Sequence, residues 1–161
     1  MEYRELGKTG LRVSQLGFGC GNVGGLIIRA DPGDRLRAVV RAIEAGINYF
    51  DTAPSYGNGQ SERNLGQALK ELKANVYVGT KVQVAPAEMG DLQGAIIRSV
   101  EASLERLGRD SVDLIQLHNR ITQQRDSRGS SLSVQDVLGD VVAAFQRLQS
   151  QGKVRYYGIT G

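Results

Sequence analysis

Hydrophobic residues along this chain alternate between two spacings, one typical of helices and one typical of strands. Four stretches repeat apolar residues every three or four positions, and short continuous apolar runs separate them. The helical stretches carry Leu36, Val39, Val40 and Ile43, then Leu65, Leu69 and Leu72, then Leu92, Ile96, Val100, Leu104 and Leu107, and then Val137, Val141, Phe145 and Leu148. Strands that alternate with helices in this way predict a parallel α/β sheet with right-handed crossovers.

Turn and capping residues mark the boundaries of these elements. We expect a polar hairpin at residues 3–14, followed by strands at residues 16–20, 47–51, 76–81, 112–118 and 154–160. The predicted helix N-caps are Asp31, which precedes Pro32, then Ser61, Asp91, and Ser133 with Asp136 three positions later. Glycines at positions 46, 108 and 152 are predicted to end three of the helices. Residues 119–131 are mostly polar and are predicted to form a loop.

Composition and charge narrow the class of protein further. Of the 161 residues, 40% are hydrophobic and 23% are charged, which is typical of a globular domain. The net charge is +3 with basic residues dispersed among acidic ones, so we expect neither nucleic acid nor a membrane as a partner. The N-terminus has no apolar signal-peptide core, and no apolar run approaches the roughly 20 residues of a membrane span. The single cysteine, Cys20, suits a reducing compartment, so we expect a cytoplasmic protein without a metal site.

Two short patterns are similar to those of Rossmann-type short-chain dehydrogenases, but their context does not fit. Residues 19–24 read Gly-x-Gly-x-x-Gly after a predicted strand, and Tyr77 and Lys81 have the spacing Tyr-x-x-x-Lys. The glycine pattern binds a dinucleotide when a helix begins within it, whereas the next helix here is predicted to begin only at Pro32. In a strand, Tyr77 and Lys81 would lie about 13 Å apart rather than on one helical face. A Rossmann-type dehydrogenase is therefore the least favoured function.

Four polar residues lie at, or just beyond, the carboxyl ends of predicted strands: Asp51, Tyr56, Lys81 and His118. In a parallel α/β barrel the carboxyl ends of the strands share one face, so residues that are far apart in sequence converge there. A carboxylate, a phenol, an ammonium and an imidazole in one cluster can form a site for proton transfer. We refer to these four residues as the tetrad.

The residues around the tetrad resemble the aldo-keto reductase family. The resemblance covers the whole chain, and its main stretches are Gly-Ile-Asn-Tyr-Phe-Asp-Thr-Ala-Pro-Ser-Tyr-Gly at 46–57, Gln-Ser-Glu-Arg-Asn-Leu-Gly at 60–66, Gly-Thr-Lys at 79–81 and Ile-Gln-Leu-His at 115–118. It implies the α/β fold class and the first half of a (β/α)8 TIM barrel, with an N-terminal hairpin, five parallel strands and four helices. Asn119 and the ending Gly-Ile-Thr-Gly resemble the branch that contains sugar dehydrogenases such as L-galactose dehydrogenase.

The same resemblance implies which residues contact cofactor and substrate. The tetrad coincides with the family's catalytic positions, and the implied cofactor is NADP or NAD, bound without a Rossmann motif. The predicted cofactor contacts are Gly19, Cys20, Gly21, Asp51 and Thr160, and the predicted substrate contacts are Tyr56, His118 and Asn119. Many members have a serine–asparagine pair at the positions of Thr160 and Gly161, and only the serine hydroxyl has a counterpart in this chain. Cys20 is expected to pack near the cofactor rather than to act as a nucleophile.

The tetrad also predicts how a carbonyl group is reduced. Reduction delivers a hydride to carbon and a proton to oxygen, and Tyr56 is the predicted general acid, or the base when an alcohol is oxidised. A free tyrosine has a pKa of about 10, and a nearby ammonium favours the phenolate, which is the predicted role of Lys81. Asp51 is predicted to supply the counter-charge for Lys81. His118 is predicted to donate a hydrogen bond to the carbonyl oxygen and to orient the substrate.

Three hypotheses about the function stay open at this point. The first is an NAD(P)H-dependent oxidoreductase that interconverts an aldehyde, ketone or sugar carbonyl and its alcohol. The alternatives are a non-catalytic regulatory subunit of the same fold and an inactive half-barrel fragment, the last because the family's barrel needs about 250 residues. Residues 1–161 are accordingly predicted to be a single barrel domain, truncated at the C-terminus, whose open edges and uncovered Ile159 favour self-association. The substrate, the choice between NAD and NADP and the reaction direction stay open.

Overall fold

The computed structural model describes residues 1–126 and 131–160. Its strands are β1 (Tyr3–Glu5), β2 (Arg12–Ser14), β3 (Phe18–Gly19), β4 (Tyr49–Asp51), β5 (Tyr77–Val82), β6 (Val112–Leu117), β7 (Arg120–Thr122), β8 (Ser131–Ser133) and β9 (Val154–Ile159). β1 and β2 form an antiparallel hairpin, and a five-stranded parallel sheet has the order β3-β4-β5-β6-β9. These observations confirm the predicted hairpin and the predicted parallel sheet.

Helices connect successive strands of this sheet. They are α1 (Leu26–Arg29), α2 (Pro32–Glu44), α3 (Gln60–Glu71), α4 (Leu92–Leu107), α5 (Val134–Asp136) and α6 (Val142–Ser150), with a π-helical segment (Val137–Val141) between α5 and α6 and a 3₁₀ turn (Pro86–Glu88) before α4. The four predicted helices are therefore present, the last of them as α5, the π-helical segment and α6. In the described part of the chain, no helix is long and apolar enough to cross a membrane.

The two faces of the sheet have different environments. Side chains alternate between the faces along each strand. One face packs against the helices, and its members Phe50, Val78 and Ile115 are completely buried. The other face, which we call the inner face, carries Asp51 and Lys81, and its side chains are partly exposed at several positions. Polar side chains are therefore accommodated more readily on the inner face than on the face that packs against the helices.

The hairpin lies at the amino ends of the sheet strands. The Asn48 side chain, next to β4, accepts a hydrogen bond from the Ser14 backbone N–H at 2.7 Å and donates one to the Arg12 carbonyl at 2.9 Å. From β9, at the opposite edge of the sheet, the Tyr156 hydroxyl donates to the Thr9 carbonyl. The hairpin thus closes the amino-terminal end of the inner face, and the carboxyl end is left for the tetrad.

The structure confirms some predicted helix caps and corrects others. Asp91 accepts a hydrogen bond from the Gly94 N–H at 3.0 Å, and Ser133 and Asp136 form the predicted capping box. Asp31 precedes α2 as expected, although its side chain makes no capping hydrogen bond. The prediction that Ser61 is an N-cap is wrong, because α3 begins at Gln60 after a glycine in the left-handed conformation. Ser61 is buried in the first turn, where its hydroxyl serves another purpose described below.

Three elements, α1, β7 and β8, were not predicted. The four-residue helix α1 follows Gly25 directly, so the expectation that no helix begins before Pro32 is wrong. The polar stretch predicted as a loop contains β7 and β8, which pair in parallel. Residues 127–130 of that stretch lie outside the described residues, as does Gly161. All three elements follow the carboxyl end of a strand of the five-stranded sheet, because α1 comes after β3 and β7 and β8 come after β6.

Candidate active site

Asp51 and Lys81 meet on the inner face because their strands are neighbours. β4 and β5 pair in parallel with Asp51 opposite Gly79, so Lys81 follows two positions later on the same face. The Lys81 Nζ donates to Asp51 Oδ2 at 2.6 Å and to the Thr52 carbonyl at 2.9 Å. The Lys81 side chain is only 6% exposed, whereas that of Asp51 is 31% exposed. The buried ammonium therefore has a carboxylate and a carbonyl oxygen as partners.

Tyr56 lies in the turn that follows β4, close to this ion pair. The Lys81 Nζ is 4.9 Å from the centroid of the Tyr56 ring. The Tyr56 backbone N–H donates to the Ala53 carbonyl at 3.1 Å, and the Tyr56 carbonyl accepts from the Ser61 N–H at 3.2 Å. Gly21 packs against the ring, because a Cβ at that position would lie 3.6 Å from it. The turn thus presents a partly exposed phenol beside the buried ammonium.

His118 follows β6 at the same end of the sheet. Its backbone N–H donates to the Val82 carbonyl at 2.8 Å, which fixes it beside the end of β5. Burial lowers the pKa of the imidazole from its ordinary value, the nearby Lys81 ammonium lowers it further, and the Asp51 carboxylate opposes both effects. The neutral imidazole is therefore favoured near pH 7, and one of its ring nitrogens carries a proton that it can donate.

Asn119 is next to His118, but its side chain is engaged elsewhere. It is 2% exposed, its Oδ1 accepts from the Val84 N–H at 2.8 Å, and its Nδ2 donates to the Val84 carbonyl at 2.9 Å. The amide thus joins the end of β6 to the segment after β5. A direct contact of Asn119 with substrate stays a prediction, and the described geometry gives the side chain a bracing role.

The predicted cofactor contacts fall into two places. Gly19, Gly21 and Asp51 line one groove of about 530 Å³ together with Tyr56. Thr160 lies at the end of β9 and lines a different groove of about 350 Å³, next to Asn119. Two tetrad residues, Asp51 and Tyr56, therefore line the same groove as Gly19 and Gly21. Thr160 lines a separate groove.

Cys20, the fifth predicted cofactor residue, lies behind the groove. It is 1% exposed, and burial raises the pKa of its thiol to about 12. Its backbone N–H donates to the Asp51 carbonyl at 2.9 Å, and its own carbonyl accepts from the Ser61 hydroxyl at 2.8 Å. Cys20 therefore supports the walls of the groove, and its thiol is poorly suited to act as a nucleophile.

A buried carboxylate supports the strand that carries Lys81. Glu62 is fully buried, and its Oε1 accepts from the Thr80 hydroxyl at 2.6 Å while its Oε2 accepts from Arg106 Nε at 2.6 Å. Sequence reasoning did not single out Glu62, because an acidic residue in the first turn of a helix is usually solvated. Only the packing of α3 and α4 behind β5 reveals that this carboxylate has partners on both sides.

The chain is similar to known proteins in both sequence and structure. The model of the Aldo/keto reductase family matches residues 15–161. L-galactose dehydrogenase from Arabidopsis thaliana is 35% identical over a match that covers 100% of this chain and 49% of that protein. The holo form of the aldo-keto reductase AKR11C1 from Bacillus halodurans superimposes with a TM-score of 0.77 at 34% identity, covering 99% of this chain and 50% of that one.

A third comparison concerns a structure solved with a dinucleotide. The aldo-keto reductase from Klebsiella pneumoniae in complex with NADPH has a TM-score of 0.70 and is 28% identical, over 93% of this chain and 46% of that one. The chain belongs to the aldo/keto reductase family. It spans about half the length of the curated relatives that it matches. The predicted family and the predicted partial α/β barrel are thereby confirmed.

Proposed function

We propose that the protein is an NAD(P)H-dependent oxidoreductase that interconverts an aldehyde, ketone or sugar carbonyl and the corresponding alcohol. The observation that carries the proposal is the arrangement of Asp51, Lys81 and Tyr56. A nearly buried ammonium, paired with a partly exposed carboxylate, lies beside a partly exposed phenol. Membership of the family and the similarity to a reductase solved with NADPH support it. The sugar-dehydrogenase relative favours a polyhydroxylated substrate among the three classes.

The groove beside the tetrad fits a nicotinamide cofactor. Its volume of about 530 Å³ is within the range of roughly 300–1,000 Å³ that is usual for small-molecule sites. Gly19 and Gly21 line it without side chains, and Asp51 supplies a partly exposed carboxylate. When bound, the nicotinamide would supply or accept the hydride at the substrate carbon. Gly19, Gly21 and Asp51 would contact it, and Thr160 would add a hydroxyl from the neighbouring groove.

Tyr56 supplies the proton in this proposal. As the hydride reaches the carbonyl carbon, the phenol transfers its proton to the carbonyl oxygen, which becomes the alcohol hydroxyl. In the oxidative direction the phenolate accepts that proton. The Lys81 ammonium stabilises the phenolate by its positive charge, and Asp51 compensates the charge of Lys81 when no phenolate is present. The three groups therefore act as one unit in proton transfer.

His118 has a different role from Tyr56. Because its lowered pKa favours the neutral ring, it donates a hydrogen bond to the carbonyl oxygen without transferring a proton. A second donor of this kind stabilises the negative charge that develops on the oxygen during hydride transfer. It also fixes the orientation of the carbonyl relative to Tyr56.

The experiment that tests the proposal replaces Tyr56 by Phe in the natural gene product. This change removes the phenolic hydroxyl and keeps the ring, so we expect turnover to fall by about 10²-fold or more while NADPH affinity is retained. Tyr157→Phe is a matched control, because this ring packs against Phe145 on the helix-facing side. Steady-state kinetics with a panel of aldehydes, ketones and sugars, and NADPH titration by fluorescence, give the two readouts. Normal turnover in Tyr56→Phe would contradict the proposal, and NADPH binding without turnover in the unsubstituted protein would favour a regulatory subunit.

A further inference from the structure

Beyond the cofactor contact of Gly21, the segment between β3 and α2 has no role in the function proposed so far. We propose that this segment, residues 21–29, positions the Tyr56 side chain, with Asn22 and Ile28 as the positioning residues. The expected effect on turnover rests on the proposed function, whereas the positioning of the Tyr56 ring rests on the observed contacts. Three sets of contacts support it. Two involve the turn at residues 53–59, which we call the Tyr56 turn, and the third joins α1 to α3, the helix that follows this turn.

The first contact fixes the peptide that follows Tyr56. Asn22 Oδ1 accepts a hydrogen bond from the Gly57 N–H at 3.2 Å. That N–H belongs to the planar peptide unit between Tyr56 and Gly57, so the bond restrains the orientation of the Tyr56 backbone. Asn22 is exposed and has no part in the core, and its side chain is therefore not needed to fill space.

The second contact is a close approach between α1 and the Tyr56 turn. Gly57 has a φ of +58°, and a Cβ built on it would lie 2.5 Å from Ile28 Cγ2 and 3.3 Å from Ile28 Cγ1. Ile28 thus occupies the space that any side chain at position 57 would need. The turn can approach α1 this closely only because residue 57 is glycine.

The third set of contacts anchors α1 itself. Ile27 is 2% exposed in the core, and its carbonyl accepts from Asn64 Nδ2 at 2.7 Å. Asn64 Oδ1 in turn accepts from Gln60 Nε2 at 2.8 Å. Both partners belong to α3, the helix that begins immediately after the Tyr56 turn. The segment is therefore hydrogen-bonded to α3, the helix that continues directly from the Tyr56 turn. This anchoring allows the segment to restrain the position of Tyr56.

This restraint affects the phenol because the Tyr56 turn has an uncommon backbone conformation. Gly57, Asn58 and Gly59 have φ values of +58°, +53° and +81°, so three successive residues are in the left-handed region. Backbone hydrogen bonds connect Tyr56 to Ala53 and to Ser61, and the Gly57 carbonyl accepts from the Gln60 N–H at 3.1 Å. The Gly57 N–H donates instead to the Asn22 side chain. A displacement of about 1 Å at a reacting group can cost about 10²-fold in rate. Asn22 and Ile28 therefore determine how well the phenol is aligned.

The decisive test introduces a steric clash between residues 57 and 28, then removes it with a second substitution. Turnover of the natural gene product is measured in both variants. Gly57→Ala should clash with Ile28 and lower turnover by about 10²-fold. The double variant Gly57→Ala/Ile28→Ala removes the clashing methyl groups and should regain at least tenfold of that loss. Gly108→Ala is a matched control for backbone strain, because its φ is +61° and a Cβ there meets nothing within 4 Å. Equal turnover in the single and double variants would overturn the inference.

A second readout does not depend on activity. 3-Fluorotyrosine incorporated at position 56 reports the ring environment through its ¹⁹F resonance. We expect this resonance to shift or broaden in Gly57→Ala, Asn22→Ala and Ile28→Ala, and to stay unchanged in Gly108→Ala and in Leu26→Ala, which alters an exposed residue of the same helix. Because Asn22 is exposed, Asn22→Ala should fold even where Gly57→Ala does not.

The two readouts separate failure of the inference from failure of the proposed function. Activity that survives Tyr56→Phe would refute the catalytic role, whereas the ¹⁹F result would still decide whether the segment positions the ring. An unchanged ¹⁹F resonance in both Asn22→Ala and Ile28→Ala would refute the positioning role, whatever the kinetics of Tyr56→Phe. A loss of turnover of roughly tenfold in Asn22→Ala, with the ¹⁹F shift, would support it.

Discussion

At the scale of single residues, the charge of Lys81 dominates the site. The ammonium is nearly buried, and it touches the Asp51 carboxylate and the Thr52 carbonyl while lying 4.9 Å from the Tyr56 ring centroid. An isolated buried charge is strongly unfavourable, whereas a paired one with further hydrogen bonds is tolerated. The environment of Lys81 therefore explains why an acid, an ammonium and a phenol occur together here.

Replacing Asp51 by Asn should reduce both stability and turnover, because Lys81 then lacks its counter-charge. Breaking a buried pair costs about 3–5 kcal/mol when it is fully desolvated, and we expect less here because Asp51 is 31% exposed. Thermal unfolding and steady-state kinetics measure the two effects. The double variant Asp51→Asn/Lys81→Met should regain stability without regaining turnover. A variant that turns over normally but binds substrate weakly would contradict the assigned role.

His118 offers a second prediction, because the chain contains one histidine and its NMR titration is free of overlap. Burial and the Lys81 charge lower its pKa, so the midpoint should lie below the ordinary value of 6.5. In Lys81→Met the ammonium that lowers this pKa is lost, whereas the Asp51 carboxylate that raises it stays, so the midpoint should move upward. A midpoint at or above 6.5 in the unsubstituted protein would show that the imidazole is not buried beside a cation as described.

At the scale of elements, Asp136 connects the stretch after β6 to the beginning of α5. It accepts from Arg125 Nη2 at 2.7 Å and from Arg125 Nε at 2.8 Å, and also from the Ser133 N–H and hydroxyl, each at 2.8 Å. These donors hold the pKa of the Asp136 carboxyl well below its usual range, with the Arg125 hydrogen bonds as the largest cause. The sequence predicted the capping box, whereas the Arg125 contact follows only from the fold.

Asp136→Asn should therefore lower the free energy of unfolding near pH 7 by about 1 kcal/mol, because an amide oxygen accepts the Arg125 and Ser133 hydrogen bonds less strongly than a carboxylate does. A carboxyl whose folded pKa is depressed stabilises the protein above its unfolded pKa, and this contribution is lost as the pH falls through the folded pKa. The difference between the unsubstituted protein and the variant should consequently shrink below about pH 4. Urea unfolding across pH measures this difference. Asp140→Asn, which makes the same charge change one helical turn later, should show little of the effect.

The elements also show what sequence patterns can and cannot predict. The stripe Leu92, Ile96, Val100, Leu104 and Leu107 is buried as its spacing indicated, because a long amphipathic helix has only one way to face a sheet. The helix α1 was missed because four residues between glycines and a proline are too few to show any period. Ser61 was misplaced because its hydroxyl bonds to Cys20 and Thr52, two residues whose proximity depends on strand pairing.

The sequence likewise predicted part of the candidate site, namely the residues at the strand ends, and missed others. Asp51, Lys81 and Tyr56 meet as expected, since their positions follow from strand ends in a parallel sheet. Asn22 and Glu62 were not predicted, because each acts through a partner that is remote in sequence, Gly57 and Arg106 respectively. The positioning role of Asn22 stays a prediction that Asn22→Ala tests, and the supporting role of Glu62 also stays a prediction.

At the scale of the whole described chain, residues 1–126 and 131–160, the five-stranded sheet has β3 and β9 as its outer strands. Ile159 of β9 pairs in register with Leu117, so both face the helix side of the sheet. Leu117 is completely buried, whereas Ile159 is 60% exposed. Edge strands present unpaired backbone groups, and an apolar side chain beside such an edge favours association with another chain.

The 161-residue chain by itself should therefore self-associate through the β9 edge. Size-exclusion chromatography with light scattering over a range of concentrations measures the mass, and we expect a dimer or larger species at micromolar concentration. Ile159→Lys places a charge on the edge strand and should shift the population toward monomer. Leu138→Lys is the matched control, because Leu138 is 66% exposed on the π-helical segment and not at a sheet edge. A concentration-independent monomer, with no difference between the two lysine variants, would mean that the β9 edge is protected in solution.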